Sequence, residues 1–151
     1  MRSTIAAALG SAVTTFIWVY IASLLNLPPW AGFLGWTTYF MTGTDAEGMK
    51  KSAAALVFGA VIAFLYVTVD SMIPSSGYLV STLLVAVMAF LVTMAGATSL
   101  LQLVAVSFVG VNIYFASGVL WISIVLPLVG LLILGPVSSY FTKFFERVLV
   151  K

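Results

Sequence analysis

Apart from its tyrosines, the 151-residue chain has ten ionisable side chains, six basic and four acidic, with no histidine and no cysteine. An imidazole base, an imidazole metal ligand and a histidine pH switch are therefore excluded. So are disulfides, thiolate metal sites and thiol nucleophiles. The acids avoid the middle of every apolar segment: Asp45 and Glu47 lie in a connection, Asp70 at a segment end and Glu146 in the tail. A buried proton relay or a paired-acid site therefore lacks its parts. The sequence carries no glycine-rich phosphate loop, no nucleophile elbow and no basic run suited to nucleic acid. No catalytic residue, metal or cofactor is expected, and the chain is not expected to be an enzyme.

What remains is uncharged polarity set in apolar sequence. Taken as one helix at ~100° per residue, 98–112 gathers Thr98, Gln102 and Asn112 within an arc of about 80°. Two amides and a hydroxyl on one narrow stripe suit lipid poorly. They would either tie helices together, at ~0.6 kcal/mol per hydrogen bond, or line the path of a solute. Tyr39 and Tyr114, each followed by a phenylalanine, could border that path. An aromatic ring narrows a pore and a phenol offers it a hydrogen bond.

The elements that hold these residues follow from composition. Apolar residues make up 63% of the chain and charged residues 7%, against ~45–50% and ~25% in soluble domains. Ten charges cannot cover a soluble surface, so the chain is expected to be an all-α integral membrane protein, one transmembrane domain over 1–151. Six apolar segments can be laid out, at 4–25, 27–42, 52–69, 78–95, 99–115 and 119–141. The first is too long for a signal-peptide core and reads as a retained helix. The second and fifth are short and interrupted by glycine, so length alone leaves short spans and re-entrant hairpins both open. Charge placement favours six spans. With a cytoplasmic N-terminus, Arg2, Lys50, Lys51, Lys143, Arg147 and Lys151 all fall on the cytoplasmic side, as positive-inside placement requires. Both termini are then cytoplasmic.

The chain also resembles itself. At an offset of 75 residues, Phe33, Gly35, Tyr39, Phe40 and Gly43 fall on Phe108, Gly110, Tyr114, Phe115 and Gly118. Repeats of three spans, 1–75 and 76–151, must run in opposite directions, which gives the inverted repeats common in transporters and channels. Asn112 then aligns with Thr37 at pseudo-symmetric midplane positions. Gly35 and Gly110 would permit close approach of helix backbones. The ridge Ala55, Gly59 and Ala63 is expected to pack a helix, inside the protomer or across an oligomer contact. Trp18, Tyr20, Trp30 and Trp121 fit aromatic belts, Phe144 and Phe145 an interfacial anchor, and Asp70 a solvated or capping helix end.

The motif from Trp30 through Gly35 to Tyr39-Phe40, with Phe108-Val109-Gly110 and Leu126-Pro127, resembles the family of bacterial inner-membrane proteins of unknown function that contains YcdZ. The likeness covers most of the chain and implies a multi-pass protein of the bacterial inner membrane. It implies no activity. Where the family often has a small residue such as cysteine, this chain has Trp36. The residues themselves point first to a passive channel or facilitator for a small, mostly uncharged solute of the urea, amide, polyol or water type. An ion-coupled secondary transporter and a non-transporting accessory membrane subunit are the alternatives. The expected route is lined by Thr37, Tyr39, Gln102, Asn112 and Tyr114, and a homo-oligomer in the lipid bilayer is expected.

Overall fold

A computed structural model of the chain describes residues 2–73, 78–118 and 122–149. Among the described residues the regular structure is helical: α1 Arg2–Leu24, α2 Pro29–Thr42, α3 Ala46–Met72, α4 Tyr78–Ala95, α5 Val104–Ala116, α6 Ile122–Val129 and α7 Gly135–Leu149. A π-helical turn, Gly130–Leu134, joins α6 to α7.

Local chemistry sets the ends. Asn26 takes a left-handed conformation after α1. Pro29 then opens α2 at a position where its missing N–H is no loss. Asp45 caps α3 by accepting from the Gly48 N–H at 2.7 Å. That cap draws Lys50 and Lys51 into the helix, where Lys51 pairs with Glu47. The connection expected over 43–51 therefore shrinks to 43–45. In the last span, Pro127 lies inside α6 and the wider π turn begins three residues on. A proline cannot donate to the preceding turn, and such breaks bend a helix.

Among the described residues, four helices are long and apolar enough to cross a membrane: α1, α3, α4 and the continuous run Ile124–Leu149. With 14 and 13 residues, α2 and α5 extend only about 20 Å, against a hydrocarbon core of ~30 Å.

The chain forms two compact units, Met1–Thr44 with Leu126–Lys151, and Asp45–Val125. Neither is a sequence half, because each draws one long helix from the other half. In the first unit, α1 buries Ala6, Gly10, Thr14, Trp18 and Ala22, every fourth residue. Gly10 lets the α7 backbone at Ser138 and Thr142 come close. The Trp18 indole N–H donates to the Pro29 carbonyl at 2.9 Å, and its ring covers Gly32. This corrects the aromatic-belt expectation for Trp18, which is 4% exposed. It secures the turn between α1 and α2 instead. Tyr20 and Trp30 keep exposed surface, and Trp121 lies outside the described residues. From Trp18, α2 runs back along α1 until Phe40 shares a pocket with Ala7 and Ser11.

In the second unit, α3 packs along α5 and more lightly on α4. Its core holds Ala60, Ala63, Met88, Val92, Val111 and Tyr114. The ridge Ala55, Gly59 and Ala63 is buried here, with Gly59 against the Ser107 carbonyl. Its partner is α5 of the same chain, so the ridge lends no support to an oligomer contact. Asp70 accepts from the Ser81 hydroxyl at 2.7 Å, which ties the end of α3 to α4.

The two units share a packing pattern. The six buried positions of α2, Ala31, Gly32, Gly35, Trp36, Thr38 and Tyr39, correspond at an offset of 75 to the six of α5. Ala55, Leu56, Gly59, Ala60 and Ala63 of α3 are buried, and at an offset of 71 so are Leu126, Pro127, Gly130, Leu131 and Leu134. The crossings agree as well. A methyl group on Gly35 would strike the Pro127 carbonyl, and one on Gly110 the Leu56 carbonyl. One on Gly130 would strike the Gly32 carbonyl, and one on Gly59 the Ser107 carbonyl.

Candidate functional site

The residues expected to line a route separate into two classes. Thr37, Gln102 and Asn112 are exposed, whereas Tyr39 and Tyr114 are buried at 4% and 2%. Thr37 returns its hydroxyl to the Phe33 carbonyl at 2.9 Å. Such a bond satisfies the donor within the helix and leaves the methyl group outermost. Tyr39 is packed against Gly135, and its hydroxyl meets the Ser139 hydroxyl at 3.2 Å. Tyr114 stands edge-on to Phe64. Both rings therefore pack each short helix onto its long neighbour.

The polar stripe over 98–112 needs correction. Only Asn112 of its three members lies on α5, which begins at Val104. After Gly96 the chain makes successive turns, with Ala97 and Thr98 bonding back to Met94 and Ala95. The Thr98 hydroxyl donates to the Ala95 carbonyl and accepts from the Leu101 N–H. Its local bonds hold a turn where the stripe required a helix. Gln102 sits in the non-helical stretch before α5, so it shares no helical face with Asn112.

Asn112 is thus the polar side chain with most to explain. It lies in the middle of an apolar helix, is exposed, and has no hydrogen-bond partner among the described residues. Gly35 and Gly110 are where close packing was expected, each against a carbonyl of the long helix it crosses. Sequence reasoning missed their partners, Pro127 for Gly35 and Leu56 for Gly110. The signal was hidden because the third spans match at 71 rather than 75.

The profile of the proteins of unknown function grouped as DUF1097 matches residues 8–146. The chain belongs to the DUF1097 family. Inner membrane protein YcdZ of Escherichia coli (strain K12) is 32% identical over 147 residues, 95% of this chain and 85% of the relative. Inner membrane protein YcdZ of Salmonella typhimurium (strain LT2) is 33% identical over 144 residues, 95% of this chain and 87% of the relative. No solved structure matches. This DUF1097 chain is accordingly a multi-pass protein of the bacterial inner membrane, consistent with its long apolar helices. Its Trp36 is buried between Phe33 and Phe40, with ring centroids 6.0 and 6.3 Å away. The indole N–H has no acceptor among the described residues.

Proposed function

We propose that this DUF1097 protein is a passive facilitator for a small, mostly uncharged solute, built as two inverted three-helix repeats. Asn112 carries the reading. An exposed amide midway along an apolar helix is costly against lipid, and a wet path supplies the partners it lacks. The equivalent position on α2 is Thr37, also exposed and also uncharged. A path bordered by these side chains offers no fixed charge to hold an ion. The matched glycine crossings support an internal duplication, and an odd number of spans per repeat inverts the second copy.

The proposal includes six spans with both termini cytoplasmic. Lying at one end of the first unit, the start of α1, the end of α2 and the charged part of α7 support it. Single cysteines at Ser3, Lys51 and Ser75 are expected to react with an impermeant reagent in intact cells only at Ser75, a position outside the described residues. Labelling at Lys51 from outside would make α2 re-entrant. The functional form is proposed to be a homo-oligomer.

Flux into proteoliposomes tests the function. Urea, formamide, glycerol and ammonium are offered in turn without a coupling-ion gradient. At least one is expected to enter faster than into protein-free vesicles. Uptake that requires an ion gradient would assign the protein to coupled transport, and no uptake of any solute would contradict transport altogether.

A further inference from the structure

The first unit carries an open pocket of about 470 Å³ between the N-terminal half of α1, the end of α2 and the charged part of α7. Ser11, Ser139, Thr142, Lys143 and Glu146 line it, with Phe40 on its apolar wall. Three hydroxyls, an ammonium and a carboxylate thus meet in a molecule that has only ten charges. Lys143 and Glu146 stand three residues apart on one face of α7, a spacing that permits pairing. Among the described residues they form no ion pair, unlike Lys51 and Glu47 at 2.6 Å. Their combined charge is zero, so the pocket complements a zwitterion better than an anion.

Its depth suits a headgroup. The helix Ile124–Leu149 has 26 residues and rises about 39 Å, beyond a hydrocarbon core of ~30 Å. Its charged last turns therefore reach the headgroup layer. Tyr140, Phe144 and Phe40, exposed at 68%, 49% and 52%, present apolar surface beside the pocket. A ligand with a charged head and an apolar body fits that surface.

We infer that this pocket binds a molecule bearing a phosphate and a primary ammonium, as the headgroup of an ethanolamine phospholipid does. Lys143 faces the phosphate, Glu146 the ammonium, and the hydroxyls donate to the remaining phosphate oxygens. A lipid with the phosphate but no ammonium leaves Glu146 beside like charge, which sets the preference. Neither Thr37 nor Asn112 is among the pocket's lining residues.

Native mass spectrometry of the full chain, with phosphatidylethanolamine, phosphatidylglycerol or soluble glycerophosphoethanolamine added, tests this. The ethanolamine lipid is expected to be retained roughly fivefold better than the glycerol lipid. Glu146→Gln should erase that preference and Glu146→Asp restore it, while Lys143→Gln weakens both lipids. Melting temperatures of the variants without added lipid should match that of the unaltered protein. Displacement by the soluble phosphodiester at equal concentration would make the free compound the ligand, and resistance to displacement a membrane lipid. Either result keeps the site. Equal retention of both lipids by the unaltered protein, or an intact preference in Glu146→Gln, would overturn it.

Discussion

Alanine at Gly35 or at Gly110 is expected to destabilise the protein by about 2–3 kcal/mol each, the upper range for overpacking a close contact. The added methyl group would meet a backbone carbonyl, of Pro127 in one case and Leu56 in the other. A carbonyl held in a helix cannot turn aside as a flexible side chain does, so the helices must separate. Separation would also uncover Trp36, Val111 and the neighbouring buried side chains. Ala105→Leu adds more atoms to α5, but on its exposed side, and should change stability by less than ~0.5 kcal/mol. Denaturant unfolding in mild detergent, followed by far-UV circular dichroism, measures all three. Unchanged midpoints for both glycine variants would mean that the helices do not cross there.

How far the sequence discloses this arrangement depends on the residue. Gly35 and Gly110 were legible because they recur in matching surroundings, and close packing was the chemistry a glycine in an apolar helix suggests. Pro127 and Gly130 were not. A four-residue shift between the third spans sets Gly59 opposite Leu134 at the 75-residue offset and breaks the match. The membrane class was plain from charge content, since ten charges cannot cover a soluble surface. The helix starts were less so. Periodicity gives a face, but a proline at 29 and a threonine-held turn at 98 decide where α2 and α5 begin. That is why the stripe of Thr98, Gln102 and Asn112 dissolves. Trp18 illustrates the other limit. An indole suits a membrane interface by type, and only the return of α2 places the Pro29 carbonyl within its reach. The exchange of long helices between sequence halves is a tertiary fact, with no local residue pattern to announce it.

The second large effect concerns Asn112. Asn112→Leu keeps the bulk and removes both the donor and the acceptor. Its side chain is exposed and takes part in no hydrogen bond among the described residues, so stability has little to lose. In a wet path the amide replaces part of a solute's hydration, and an isobutyl group cannot. Flux of the conducted solute is expected to fall about tenfold or more, corresponding to ~1.4 kcal/mol or more on the barrier. Thr37→Val, at the equivalent position on α2, should reduce flux less, because the Thr37 hydroxyl is already engaged by Phe33.

One measurement bears on the central claim most directly: solute flux and melting temperature of Asn112→Leu, taken on the same proteoliposome preparation and compared with the unaltered protein. A route bordered by Asn112 requires flux to fall at least about tenfold while the melting temperature holds. Unchanged flux with a lowered melting temperature would show instead that the amide joins helices or subunits, and would contradict the route.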